Sequence, residues 1–389
     1  MHCPNAELCD MNIPLDTLPS PLFLMHEEKL KRNLELMRHV QQEAGIKIIL
    51  ALKGFSMYST FPLIRQYLPG STSSSLHEAR LGAEEFGGET HVYSPAYRAD
   101  EFEELTRYAG HYSFNSIAQY LQFKDRLFNL RPDAHAGIRI NPEYSTVSVD
   151  LYNPCIPGSR LGIRAEDLPE TLPEGISFLH SHNLCESDSY ALEHTLNNIE
   201  RLFGKYLPQV KLLNLGGGHL MTREDYNVGH LINTLKAFKA KYPHLDIILE
   251  PGSAVAWQTG YLVSTVLDIV NSKGIEVAIL DCSVSAHMPD VIEMPYKPKI
   301  LGATEPMQGK PTYRFGGQTC LAGDFVGDYS FDSPLKPGDK VVFDDMMHYT
   351  MVKTTTFNGI NLPHIGIWKE EGSYQHVKSF GYDDFKSRL

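Results

Sequence analysis

The stretch Ile46-Lys47-Ile48-Ile49-Leu50-Ala51-Leu52, closed by Lys53-Gly54, decides the fold. It is too short for a helix and suits a strand buried on both faces, as in parallel sheets. Before it, His26 to Ala44 carries Leu30, Leu34 and Met37 at helical spacing among charges, and Gly45 stands where such a helix stops. Leu22-Phe23-Leu24-Met25 reads as a further short strand. After it, strand candidates recur at Ser71 to Ser75, His91 to Ser94, Tyr112 to Asn115, Ala136 to Asn141, Ile176 to Asn183, Lys211 to Leu215 and Asp246 to Glu250. Between most of them lie helical stretches: Leu76 to Phe86, Ala99 to Ala109, Ile117 to Phe128, Ser189 to Tyr206 and Arg223 to Tyr242. Eight strands alternating with helices predict an α/β fold, a (β/α)8 TIM barrel over residues 22–259. Asn141 to Arg164, rich in Pro and Gly, reads as a loop over the barrel mouth. Beyond about Thr259 the pattern turns to β-rich runs (Tyr261 to Val270, Val277 to Leu280, Lys340 to Phe343). This predicts a C-terminal β domain over 260–389, joined by the N-terminal segment 1–21.

A chain of 389 residues exceeds one ordinary compact domain, in keeping with two. Its 42% hydrophobic and 21% charged residues are those of a globular protein. No apolar run reaches the roughly 18 to 20 residues that span a bilayer, and Met1 to Pro21 lacks the pattern of a secretory signal, so a cytoplasmic location is expected. The net charge of −12 argues against nucleic acid as a partner and suits a cationic substrate. Six scattered cysteines without C-x-x-C predict reduced thiols, with neither a disulfide framework nor a zinc ribbon.

Chemistry in a barrel sits at the C-terminal ends of the strands. Lys53 ends the first strand; desolvation there lowers an amine's pKa and readies it for a Schiff base, although a surface lysine would also fit. Gly216-Gly217-Gly218 allows a tight bend with several N–H groups aimed at one anion, or simply a tight turn; it is neither a dinucleotide nor a P-loop signature. Glu250 ends the eighth strand before Pro251-Gly252, where a carboxylate needs a proton or cation: a protonated pyridine nitrogen, or a neighbouring arginine. His180 and His182 share one strand face, as metal ligands or core histidines also do, but no ligand spacing is completed and no metal is expected. Lys53, a flat-ring partner in His182, a phosphate nest and an anion for a ring nitrogen together describe a site for pyridoxal 5'-phosphate.

These residues resemble the fold-type III pyridoxal phosphate decarboxylases, which include the ornithine/arginine and diaminopimelate enzymes. Ala51-Leu52-Lys53 is similar to that family's cofactor-lysine motif, Leu215 to Gly218 to its phosphate loop, and Glu250-Pro251-Gly252 to its ring-nitrogen motif. Gly317 to Cys320 with Asp324 resembles its cysteine motif, and Tyr349 the tyrosine that reaches the phosphate. Three departures stand out: Leu184-Cys185 replaces a Gly-Ser, Leu321 an acidic residue, and Ser253 an arginine. With Leu179 to Glu186 and Ser285 to Glu293, they resemble the carboxynorspermidine/carboxyspermidine decarboxylase branch.

That resemblance implies decarboxylation to norspermidine or spermidine in a homodimer with shared active sites. It implies Lys53, His182, Glu250 and Cys320 as catalytic residues. Lys53 would bind the cofactor, His182 stack on its ring, and Cys320 protonate the α-carbon from the other subunit. Gly216, Gly217, Gly218, Gly252, Ser253 and Tyr349 would also hold the cofactor, and Asp324 a substrate amine. Glu186, Asp290 and Glu293 are candidates for the remaining amines, or else plain acidic surface. The alternatives are a diaminopimelate or other basic amino-acid decarboxylase, a racemase, or a non-catalytic pyridoxal phosphate binder. Cys3, Cys9, Cys155 and Cys282 read as inert, and Cys185 stays open. The two triamines differ by one methylene, worth only about 1–3 kcal/mol, so the preference between them stays open too.

Overall fold

The computed structural model describes residues 13–389; Cys3, Cys9 and the start of the N-terminal segment lie outside the described residues. The chain divides into two units. One is Lys31–Val255; the other comprises Ala256–Leu389 with the chain up to Leu30, including β1 (Leu22–His26).

The first unit is a parallel barrel. Its strands are β2 (Lys47–Ile48), β3 (Leu50–Ala51), β4 (Gly70–Ser73), β5 (Glu89–Tyr93), β6 (His111–Phe114), β7 (His135–Ile140), β8 (Ile176–Ser181), β9 (Leu212–Asn214) and β10 (Asp246–Leu249). The order is β2-β10-β9-β8-β7-β6-β5-β4-β3. Nine segments stand where eight strands were expected because the opening apolar stretch changes partner at Ile49. Its first half pairs with β10 and its second with β4, while Ile49 N–H donates to Leu249 O and Leu52 N–H to Thr72 O. The interrupted strand is therefore the seam that closes the ring, and its apolar character reflects burial on both faces.

The outer helices begin at side-chain caps. Ser75, Ser116, Asp188 and Asn227 accept from backbone N–H groups three residues on. Ala99 to Ala109, expected as a helix, is helical only over Phe102–Leu105. Tyr97 turns inward there, its hydroxyl donating to Val92 O and Ser113 O, and holds the preceding residues as a loop. The stretch expected from Arg223 becomes helical at Val228, after the Asn227 cap. Period-2 alternation sends Glu89, His91 and Tyr93 to one side of β5, and His111 and Ser113 to one side of β6. Gly137 leaves room for Phe178: an added Cβ would lie 2.3 Å from the ring.

The second unit is a mixed sheet. Its strands are β1, β11 (Gly260–Ser272), β12 (Ile275–Leu280), β13 (Thr312–Gly316), β14 (Phe325–Ser330), β15 (Lys340–Asp344), β16 (His364–Trp368) and β17 (Tyr374–Lys378). β1 pairs antiparallel with β11 (Leu24 opposite Tyr261) and parallel with β16, although residue 22 was expected to open the barrel. A strand paired on both edges and covered on both faces is apolar throughout, so composition alone does not tell it from a barrel strand. β11 pairs with β1 and β15 along its first half, passes a register shift between Val266 and Asp268, and pairs with β12 along its second. Ile13, Leu18, Leu22, Leu24, Tyr261, Val263, Leu301, Val342 and Trp368 form this unit's core. Among the described residues no helix is long and apolar enough to cross a membrane.

Candidate active site

The C-terminal ends of the barrel strands gather Lys53, His182, the three glycines and Glu250. Lys53 Nζ lies 3.2 Å from His182 Nε2, and His182 Nδ1 accepts the Gly217 N–H at 2.8 Å. An imidazole that accepts through Nδ1 and stays neutral carries its proton on Nε2. His182 is held neutral: burial, then the charges of Lys53 and Arg139, push its pKa well below the ordinary range. The Nε2–H therefore points at Lys53 Nζ, which can accept it only as a free amine. The same crowding favours that amine. Although Lys53 is accessible at the mouth, the surrounding protein lowers its pKa first, the Arg139 charge adds to this, and Glu250 partly opposes it. The backbone N–H of Gly217 thus fixes the tautomer of the ring that faces Lys53.

Glu250 follows β10 and is buried. Its Oε1 accepts from Asn214 Nδ2 at 2.7 Å, its Oε2 lies 3.7 Å from His180 Nε2, and its N–H donates to Gly216 O. Among the described residues no lysine or arginine forms a salt bridge with it, so the arginine alternative is not what the fold supplies. Arg139 instead donates to His182 O at 2.7 Å and lies over the Tyr93 ring at 4.5 Å. Sequence reasoning missed Arg139 and Asn214 as site residues. Each was visible as the polar interruption of an apolar strand, in His135-Ala136-Gly137-Ile138-Arg139-Ile140 and in Leu212-Leu213-Asn214-Leu215.

The glycine loop has no room for side chains. Gly216 (φ 65°) and Gly218 (φ 86°) are left-handed, and Cβ atoms on Gly216, Gly217 and Gly218 would fall 2.5, 2.5 and 2.1 Å from the carbonyl oxygens of Ser181, Glu250 and Leu184. The anion nest is narrower than expected, because Gly216 N–H already donates to Asn214 Oδ1 and Gly217 N–H to His182 Nδ1. Of the three, Gly218 alone keeps an N–H without a partner among the described residues. Gly252 packs against Gly54, where its added Cβ would lie 3.1 Å from the Gly54 Cα, and Ser253 opens the short helix Ser253–Ala256. A lysine amine of lowered pKa, an imidazole that resists charging, an anion-facing turn and a buried carboxylate without a bonded cation fit a phosphorylated pyridine aldehyde.

Glu186 stands in the loop after β8 at φ 47°, its carbonyl accepting from Arg223. The remaining candidates belong to the sheet unit. Cys320 is exposed, its N–H donating to Asn358 Oδ1. Tyr349 adopts φ 53°, with Lys353 Nζ 5.7 Å from its ring centre. Asp290 and Glu293 both bind Lys353, at 2.6 and 2.5 Å, so one cation already answers the two carboxylates. Asp324, expected at a substrate amine, is buried with both oxygens occupied. Oδ1 accepts from Ser283 Oγ and the N–H groups of Val284 and Ser285, and Oδ2 from Thr319 N–H and Oγ1. It ties the start of the helix Val284–His287 to the cysteine segment. Burial pushes the Cys282 thiol far up, as its inert reading requires.

A parallel barrel carrying a lysine amine, a glycine turn and a buried carboxylate at one mouth, with a separate mixed sheet, defines the fold-type III pyridoxal phosphate decarboxylases. The chain belongs to that family: residues 28–347 match the family described as pyridoxal-dependent decarboxylase, C-terminal sheet domain. It is 53% identical over 378 residues to the carboxyaminopropylagmatine decarboxylase of Synechocystis sp., covering 97% of each chain. It is 41% identical to the carboxynorspermidine/carboxyspermidine decarboxylase of Campylobacter jejuni, covering 96% of this chain and 99% of the relative. The crystal structure of carboxynorspermidine decarboxylase complexed with norspermidine, also from Campylobacter jejuni, superposes with a TM-score of 0.88 at 40% identity, covering 96% of this chain and all of that one. The protein is a pyridoxal phosphate-dependent decarboxylase.

Proposed function

We propose that the protein removes CO2 from a carboxylated polyamine: carboxynorspermidine, carboxyspermidine or carboxyaminopropylagmatine. All three join an amino-acid head, where the chemistry occurs, to a linear chain with a cationic far end, an ammonium in the first two and a guanidinium in the third. Full-length likeness at 53% favours the guanidinium substrate, and the 41% relative favours the ammonium ones. The observation that carries the reading of the head group is the Lys53–His182–Gly217 chain, which presents the lysine amine at the mouth that also holds the buried Glu250.

Bound pyridoxal phosphate supplies the sink for the electron pair left on the α-carbon when CO2 departs. Lys53 would hold the cofactor through its amine, and His182 would cover one face of its ring. Gly218 N–H and the turns at Gly216, Gly217, Gly252 and Ser253 would hold the phosphate, and the family resemblance gives Tyr349 the same role. Glu250, held by Asn214, would face the ring nitrogen and favour its protonated form. Cys320 gives a proton to the α-carbon across the interface of a cytoplasmic homodimer, which needs neither membrane nor nucleic acid. Glu186 would favour a cationic tail, whereas Asp290 and Glu293 are already answered by Lys353.

CO2 release from the two triamines, carboxyaminopropylagmatine, diaminopimelate and ornithine, measured in parallel, tests this. Turnover of a carboxylated polyamine alone supports it and fixes the far end; preferential turnover of diaminopimelate or ornithine overturns it.

A further inference from the structure

His180 takes no part in the chemistry above, yet it is among the most buried polar side chains of the barrel, 2% exposed. It lies one inward position below His182 on β8. Its Nδ1 is 2.9 Å from Ser113 Oγ, and its Nε2, which has no hydrogen-bond partner among the described residues, lies 3.7 Å from Glu250 Oε2. Around it in the barrel interior stand Thr72, His91, Tyr93, His111 and Asn214. A nearly buried polar nitrogen left unpaired in a packed core calls for an explanation.

We propose that His180, fixed by Ser113 as the neutral Nε2–H tautomer, is a positioning residue for Glu250. It supplies the second side-chain donor, on Oε2, opposite Asn214 on Oε1. The proposal rests on Glu250 serving the ring nitrogen. The surroundings select the tautomer. Burial first, then Arg139 on the adjacent strand β7, His91 on β5 and Lys53 beyond β3, oppose a charged ring. Tyr93 meets it edge-on at 5.5 Å between centroids and His182 lies 6.5 Å away, neither adding an anion. A neutral ring must then choose. An Nδ1–H tautomer would turn the Nε2 lone pair toward a carboxylate oxygen, which is repulsive; an Nε2–H turns a donor toward it, and Ser113 Oγ–H satisfies Nδ1. The 3.7 Å separation closes to a hydrogen bond by a small movement, as site hydrogen bonds do when a ligand loads. With a donor on each oxygen, the plane of the carboxylate is set before the cofactor arrives.

The test uses the full-length protein labelled with 15N-histidine, with the His180 resonance assigned by its loss in His180→Gln. The expected spectrum has a protonated Nε2 and a bare Nδ1, unchanged between pH 6 and 8.5. Ser113→Ala moves population to the Nδ1–H form and Ser113→Thr restores it. In parallel, pyridoxal phosphate is titrated into the apoprotein. His180→Leu should weaken binding roughly 10- to 100-fold, the loss of one hydrogen bond to a charged group, and His180→Gln, which keeps a donor, should recover most of it. An Nδ1–H tautomer in the wild type, or wild-type affinity in both His180→Leu and Ser113→Ala, overturns the proposal. Should Glu250→Gln also leave affinity and the cofactor absorbance band untouched, the assignment of Glu250 itself falls, which separates the two failures. If His180→Leu does not fold, the serine variants and the wild-type spectrum decide.

Discussion

Substituting Gly218 by alanine tests whether the glycine loop is shaped by contact or merely by habit. The new Cβ would fall 2.1 Å from Leu184 O and 2.2 Å from Leu184 C, both backbone atoms with no rotamer to escape into. The φ of 86° adds a left-handed penalty of about 1–2 kcal/mol, and forcing a methyl into packed backbone costs about 1–3 kcal/mol. The sum, about 2–5 kcal/mol, is a large part of a typical stability of roughly 5–15 kcal/mol. For a unit the size of Lys31–Val255 it converts to a Tm about 5–20 °C lower. Thermal unfolding of the apoprotein, followed by circular dichroism, reads it directly. Gly204→Ala is the control, since nothing lies within 4 Å of its added Cβ. Relief of the clash must displace Leu184 and Cys185, which follow His182 closely in the chain, so cofactor affinity should fall with Tm. A Gly218→Ala protein that melts within about 2 °C of the Gly204→Ala control would refute the steric reasoning.

Lys53→Met should stabilise the apoprotein at neutral pH. The folded state binds this proton less tightly than the unfolded chain, so stability rises with pH from the lowered folded pKa to about 10.4, and the advantage of the variant shrinks over that window in urea unfolding series. Asp324→Ala should lose about 2–4 kcal/mol, because the Val284 and Ser285 N–H groups lose their acceptor; a raised KM at unchanged stability would restore a substrate role instead. Glu250→Ala should lower kcat more than it raises KM, and equal losses in both would count against its place at the ring nitrogen. His111, pressed down to about 2 by burial and by its neighbours His91 and His135, must shed a proton on folding below its unfolded pKa of about 6.5. Stability should therefore drop by about 2 kcal/mol between pH 7.5 and 5 on its account, and His111→Gln should remove that share of the loss.

Periodicity located the barrel because each strand is a short run covered on both faces, and it located Lys53, His182 and Glu250 because barrel chemistry collects at strand ends. It could not place Leu22–His26, whose burial pattern is that of a barrel strand although its partners are β11 and β16. Pairing is a long-range property that hydrophobicity does not encode. Asp324 shows the converse limit. An acidic residue near a cysteine motif suggested a cation to hold, and only coordinates reveal five donors converging on it from Ser283, Val284, Ser285 and Thr319. The glycine triplet was legible as a tight loop, but not the fact that two of its N–H groups serve Asn214 and His182.

The least legible feature is the inside of the barrel, which in this fold is ordinarily filled by Val, Ile and Leu. Here Thr72, His91, His111, Ser113, His180 and Asn214 meet in the interior, with Phe178 packed over Gly137. The buried ring of His91 stacks on that of the half-buried His111 at a centroid distance of 4.0 Å, and His111 in turn on the exposed His135 at the start of β7 at 4.6 Å, so an imidazole takes the place of an aliphatic side chain while keeping polar edges. An apolar plug could not serve beneath Glu250, since a buried carboxylate without donors is among the costliest groups a fold can hold. Asn214 already answers one oxygen from this interior, and His180 stands below the other. The polar interior and the carboxylate at its top are thus one construction: the barrel gives up apolar packing along its axis and gains a floor that can hold a charge still.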